Sequence, residues 1–493
     1  MSEIEPTHHL ALADLEARVA HDLASIAHPV KPWLTPRTGP DGQPALDVLI
    51  AGAGQSGSAV GFVLLRSQVS NILAIDAAAA GSEGPWNSYA RMRTLRNPKT
   101  FTGPDLDIPS LTSQAWYAAR FGTAAWDALD MLPKDLWAEY LLWVRRVTGV
   151  PTLNDTRLCR ITPAGDLLAA ELESAGQTRT LYARKIVLAT GQQSVGQWAV
   201  PAALAALPRT ACAHTADTID FSALHGKTVA VLGAGASAFD NAATALEAGA
   251  AKVFLLCRRL EPQLLQPYRW LTFRGFMRHL SDLDDSWRWR FMRHILTLRE
   301  GFPQDTYNRC SRHAGFDLRT GASVLGAEWN ADMQRVELQT TQGSLDADFV
   351  ISATGIEVDF AARPELQDFA HNIARWSDRY QPPPEEQDAR LGGFPYLGDD
   401  YAFSERVGGA TPWMRNVHLF AIGSTMSFGA SGSSINALTT AVPKLVSGLT
   451  RELFRADVES HWASLLAYDV RQVDIQKQTA TTAAATTEPK SET

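Results

Sequence analysis

Two short apolar runs along the chain each end in a glycine-rich turn. "DVLIA" leads into "GAGQSGSAVGF" (52–62), and "TVAVL" leads into "GAGASAFDNAA" (233–243). Apolar runs of this length bounded by turn residues predict buried strands. Strand–turn–helix–strand units are therefore expected from Leu46 to Asp76 and over about 227–259. Two more apolar strands, "KIVLATG" (185–191) and "ADFVISATG" (347–355), end in the same tripeptide. "LLAAELESAGQTRTLYA" predicts a hairpin, and "QRVELQTTQGSLDADFVISATG" another β pair.

Apolar residues at helical spacing predict helices at 132–149 and 286–300. In the second, Trp287, Phe291, Ile295 and Leu298 share a face, with Arg288, Arg290, Arg293 and Arg299 largely elsewhere. Trp116, Trp126, Trp137 and Trp143 are expected in the core, with a cavity wall as the alternative. A Pro- and Gly-rich coil is expected over 356–416, a buried strand at "VHLFAIGS" (417–424), and a final helix at "SINALTTAVPKLVSGLTRELF". The tail from Gln476 is low in complexity and expected to be disordered.

With 493 residues, 45% apolar and 20% charged, the composition is that of a globular protein large enough for two or three domains. The formal charge of −8 argues against a nucleic-acid partner. No apolar run reaches the roughly 20 residues of a membrane span, and the N-terminus lacks a signal core, so a cytoplasmic location is expected. Cys159, Cys212, Cys257 and Cys310 form no C-x-x-C pair, so neither a redox dithiol nor a metal site is expected.

In the first unit Gly52, Gly54 and Gly57 occupy G-x-G-x-x-G positions. They suit a tight turn, close approach of a diphosphate, and packing of helix on strand. Gln55 and Ser56 open the helix whose free N–H groups would face that diphosphate. Asp76 stands where a carboxylate accepts the ribose hydroxyls. The second unit has Gly233, Gly235 and Ala238, followed at the helix start by Ala236 and Ser237. Cys257 replaces the carboxylate there, and Arg258 and Arg259 follow, poised for a 2′-phosphate. The first site thus reads as one for FAD and the second as one for NADPH. Thr190, Gly191, Thr354 and Gly355, at the ends of the two Ala-Thr-Gly strands, are placed beside these dinucleotides.

The expected fold is α/β, with two Rossmann-like dinucleotide-binding domains, the FAD domain being discontinuous. Residues 1–45 form a helix and linker and 46–208 the first part of the FAD domain. The NADPH domain spans 209–346. Residues 347–460 give the second FAD part with substrate-cavity loops, and 476–493 the tail.

With these motifs in place the chain resembles the class B flavin-dependent monooxygenases over about residues 45–455. "EGPW" (83–86) is similar to the family's loop beside the isoalloxazine, which implies flavin contact by Trp86. "TLRNPKTFTGPDLDIP" (94–109) resembles a flavin-edge segment with a catalytic Asn. Aligning Pro98-Lys99 places Arg96 at that Asn, while a one-residue slip places Asn97 there; Arg91 and Arg93, just before this segment, are read beside the flavin edge as well, Arg93 as a cofactor-binding residue, with phosphate contact or loop anchoring as the alternative. The Baeyer–Villiger fingerprint is matched only at His214, which is read as facing NADP⁺ or as an interdomain histidine. "SFGASGSSIN" (427–436) is read as a flavin approach or a plain turn.

The resemblance implies NADPH reduction of FAD, formation of a C4a-(hydro)peroxyflavin from dioxygen, and transfer of one oxygen to a small organic substrate, foremost at an amine nitrogen or sulfur. Ketone oxygenation, and an NADPH oxidase or reductase that oxygenates nothing, are the alternatives. A homo-oligomer fits the proteins it resembles.

Overall fold

The computed structural model describes residues 6–27, 30–430 and 434–475. The stretch 476–493 and residues 431–433 of the small-residue segment lie outside them, so the expectations made there are not addressed.

Each glycine unit lays down the centre of a sheet. In the first, the strand Pro44–Ala51 pairs in parallel with Ile72–Ile75 on one side and with the end of Gln177–Leu188 on the other. The earlier half of Gln177–Leu188 pairs antiparallel with Leu167–Ser174, the expected hairpin, turning at Ala175-Gly176. Much later in the chain, Val417–Leu419 returns to pair with Ile186–Leu188. The first sheet is thus assembled from distant segments.

The second sheet is all parallel, ordered Phe316–Thr320, Lys252–Cys257, Thr228–Leu232, Phe349–Ser352, Cys212–His214. Its three central strands are apolar on both faces because both are covered. Val229, Val231, Val253 and Leu255 face the helix Ala236–Glu247. Ala230, Leu232, Phe254 and Leu256 face the antiparallel strands Val324–Asn330, Arg335–Thr340 and Gly343–Ala347. A further core joins the helices between Pro267 and Leu298 to Trp376, Leu391 and Met426.

Three expectations need correction. The strand at 417 ends at Leu419, and the chain then curls through a turn at Ile422–Ser424. The helix Leu438–Ala456 is not the last, because Val458–Leu466 follows it. The helix Asp285–Leu298 buries Trp289, Met292 and Ile295, whereas Trp287 is 49% exposed. Two apolar stripes share that helix, and Trp376 and Leu391 pack against the one containing Trp289. Trp116, Trp126, Trp137 and Trp143 lie in the main core, where the rings of Trp137 and Tyr140 are tilted by 43° with centroids 5.0 Å apart. Among the described residues no helix is long and apolar enough to cross a membrane.

Candidate functional site

Both glycine turns open into one cavity of about 1440 Å³, well above the roughly 300–1,000 Å³ of a single small-molecule pocket. The turns are built alike. Gly52 has φ 106° and Gly233 φ 119°. A Cβ on Gly52 would collide with the carbonyl oxygen of Ala189, and one on Gly233 would stand 2.6 Å from that of Ala353. Each first glycine is therefore pressed against the alanine of an Ala-Thr-Gly strand, which explains why that tripeptide also occurs twice. A Cβ on Gly57 would strike the Gly52 carbonyl, as expected of a helix packed closely on its turn.

The second glycine of each turn is different. Gly54 and Gly235 are the N-caps of their helices, with no side chain capping the first-turn N–H groups. The Cβ position of Gly235 has no heavy atom within 4 Å, and that of Gly54 meets only Gly84 backbone at 3.8 Å and beyond. These are two open cradles of N–H donors with a partial positive charge, suited to diphosphates.

Asp76 closes the first cradle. It accepts hydrogen bonds from the N–H groups of Ala53 at 2.8 Å and Ala78 at 2.9 Å. Burial raises its pKa, and those two donors oppose the rise. Trp86 lines the cavity edge-on to Trp137, and Trp137 Nε1 donates to Gln55 Oε1 at 3.3 Å. Thr190 Oγ1, also in the wall, is buried without a hydrogen-bond partner, as is Gln263 Nε2.

Eighteen of the expected site residues line this cavity. They are Gly52, Gly54, Gln55, Ser56, Asp76, Trp86, Arg96, Asn97, Thr190, Gly191, Gly233, Gly235, Ala236, Ser237, Arg258, Arg259, Thr354 and Gly355. Gly57 stands behind the turn, in keeping with its packing role. Arg93 lies outside the cavity wall and pairs with Glu247 at 3.0 Å, where Arg309 and Arg312 also converge. Arg96 reaches across to the second unit, donating to Asp240 at 2.6 Å and Glu300 at 3.0 Å. Its two terminal nitrogens thus engage carboxylates and fasten one unit to the other, while its Nε is buried without a partner. Asn97, beside it, also lines the wall.

Sequence reasoning missed several wall residues, among them Arg299, Arg390, Gln263 and Tyr268. Burial pushes the Tyr268 hydroxyl up to about 12, so it stays a neutral donor. Burial also lowers the pKa of His214, keeping its imidazole neutral; its Nδ1 accepts from the Ala216 N–H at 3.1 Å. The four cysteines are all free thiols, Cys257 among the wall residues.

The model of the pyridine nucleotide-disulphide oxidoreductase family matches residues 46–370. The chain belongs to that family. Its four cysteines, Cys159, Cys212, Cys257 and Cys310, form no C-x-x-C pair. A relative, the FAD-dependent urate hydroxylase of Xanthomonas campestris pv. campestris, is 40% identical over 461 residues, covering 93% of this chain and 97% of the relative. The fold is shared with an ornithine hydroxylase from Pseudomonas aeruginosa at TM-score 0.65 and 16% identity, covering 83% of this chain and all of that one. It is shared too with the L-lysine 6-monooxygenase of Pseudomonas syringae at TM-score 0.61 and 20% identity, covering 82% and 99%. Fold and membership are those of a two-dinucleotide oxidoreductase.

Proposed function

We propose that this protein is an FAD-containing, NADPH-dependent monooxygenase that inserts one oxygen atom of dioxygen into a small anionic heterocycle of the urate type. One observation carries the charge of that substrate. Eight arginines and four carboxylates line the cavity of a protein whose net charge is −8. All four carboxylates are engaged: Asp76 by backbone N–H groups, Asp240 and Glu300 by Arg96, and Glu365 by Arg363 at 2.7 Å. No carboxylate is left to hold an alkylammonium, whereas Arg91 and Arg157 remain outside both these ion pairs and the arginines gathered around Arg258 and Arg259. Such a wall concentrates anions. The identity to a urate hydroxylase points the same way. The amine substrates named for the more distant structures would need a free acid here.

In this reading Gly54 and the Gln55–Arg66 helix start hold the FAD diphosphate, and Asp76 holds its ribose. Gly235 and the Ala236–Glu247 helix start hold that of NADPH, with Arg258 and Arg259 on its 2′-phosphate. Bound FAD supplies hydride acceptance and oxygen activation. The chain's own part is to orient both dinucleotides and keep water out. Asn97 offers its amide at the edge of the reacting centre, and Arg96 keeps the two units in register through Asp240 and Glu300. The cytoplasm, with its reducing conditions, is the proposed location for a protein with four free thiols.

Purified FAD-loaded protein should consume NADPH faster with urate present, and urate should disappear one-for-one with NADPH. Ornithine, lysine and cadaverine should do neither. NADPH consumption that yields stoichiometric hydrogen peroxide with every compound would leave an oxidase instead.

A further inference from the structure

The last turn of the helix Asp285–Leu298 gathers arginines from three parts of the chain. Arg259, at the end of the second-sheet strand, donates Nη2 to the Thr297 carbonyl at 2.6 Å. Arg390, from the core containing Trp376 and Leu391, points Nη2 at the Leu296 carbonyl at 3.5 Å. Arg299 caps the helix with φ 63°, a left-handed backbone that L side chains rarely adopt, and its Nη1 lies near Gly355. All three line the cavity, together with Arg258.

Helix C-termini attract cations, and a capping role accounts for one donor from each of Arg259 and Arg390. A guanidinium carries five N–H donors. Among the described residues no carboxylate lies within ion-pair reach of Arg258, Arg259 or Arg299, and Arg390 has only Asp388 at 3.7 Å. Burial, and then the neighbouring charges of Arg390, Arg258 and Arg259, disfavour the charged form of Arg299. Four like charges converging on a cavity without a matching carboxylate are arranged for a ligand of more than one negative charge.

We propose that Arg258, Arg259, Arg299 and Arg390 form one receptor for a phosphate monoester dianion. On the reading of function above, this is the 2′-phosphate of NADPH. The cofactor is then recognised jointly by the second sheet, through Arg258 and Arg259, and by the helical core that carries Arg299 and Arg390. Discrimination against NADH would depend on residues far outside the second glycine unit. Binding of the phosphate would relieve the repulsion among the arginines and tie the helical core to the sheet.

Calorimetry of the FAD-loaded protein with 2′,5′-ADP and with 5′-AMP tests this without turnover. Wild type should bind 2′,5′-ADP the more tightly. R299Q and R390Q should each weaken 2′,5′-ADP by about tenfold or more, as for a lost charged hydrogen bond, and leave 5′-AMP unchanged. R299K should fall between. Wild-type affinity for 2′,5′-ADP in both variants, with loss only in R258Q and R259Q, overturns the four-arginine receptor while leaving the NADPH reading intact. Equal loss for both nucleotides overturns it as well, assigning the arginines to structure. So does a raised urate KM in R299Q with unchanged 2′,5′-ADP affinity, which would give Arg299 to the substrate. A wild type that binds the two nucleotides equally would sink the NADPH reading itself, and the receptor with it.

Discussion

Replacing the two glycines of the second turn one at a time should separate folding from binding. Gly235 is an N-cap in extended backbone, φ −82°, with open space where a Cβ would stand. Alanine at an N-cap costs up to about 1 kcal/mol relative to glycine. Restricting the unfolded chain offsets about 0.4–1 kcal/mol of that. Gly235→Ala should therefore unfold in urea within about 0.5 kcal/mol of wild type. Its methyl group would nonetheless occupy the cradle and push a diphosphate off one or two N–H donors. At about 1.5–3 kcal/mol for each charged hydrogen bond, NADP⁺ affinity should fall ten- to a hundredfold or more by calorimetry.

Gly233→Ala should behave in the opposite way. Its φ of 119° and the 2.6 Å approach to the Ala353 carbonyl put strain on the fold itself. The expected loss is at least about 2 kcal/mol, within the range for positive-φ strain plus a clash. The reasoning is refuted if Gly235→Ala binds NADP⁺ like wild type, or if Gly233→Ala is as stable as wild type.

Replacing Arg258 and Arg259 together with alanine should raise the KM for NADPH ten- to a hundredfold or more while changing that for NADH little; equal effects in steady-state kinetics would remove the 2′-phosphate assignment. Arg96→Met should lower stability by about 3 kcal/mol in urea, the low end for a broken buried ion pair. The reason for the low end is that Asp240 keeps Thr306 at 3.3 Å and Arg309 at 3.7 Å; a loss below about 1 kcal/mol would contradict the fastening role. His418, fully buried with Nδ1 2.9 Å from the Asp400 carbonyl, has its pKa lowered by burial from 6.5 to about 4. A depressed pKa favours the neutral folded form, so its contribution is present above pH 6.5 and is lost as pH falls toward 4. Thermal scans should show the midpoint dropping across that window, and His418→Gln should flatten the drop.

The parts of the site legible in the sequence were those where backbone geometry admits few residue types. Gly52 and Gly233 need positive φ beside a carbonyl, and Asp76 must end its strand at a fixed spacing, so spacing alone located them. The Ala-Thr-Gly strands were legible as a repeat, although their contact with the first glycines was not. Partnerships between distant residues were hidden. Asp240 and Glu300, which engage Arg96, lie 144 and 204 residues from it, so the fastening left no trace in the local sequence. Arg93, just before that segment, pairs with Glu247, 154 residues away, a partnership equally hidden from the sequence. The helix Asp285–Leu298 carries two apolar stripes, and periodicity cannot say which one Trp376 and Leu391 will cover. Arg299 gave no signal because its left-handed backbone depends on the core that holds the helix end.

Turnover under ¹⁸O₂ with urate and NADPH tests the central claim most directly. The account predicts one labelled oxygen in the product for each NADPH oxidised, with little hydrogen peroxide released. An unlabelled substrate recovered intact, with peroxide equal to the NADPH consumed, would contradict it.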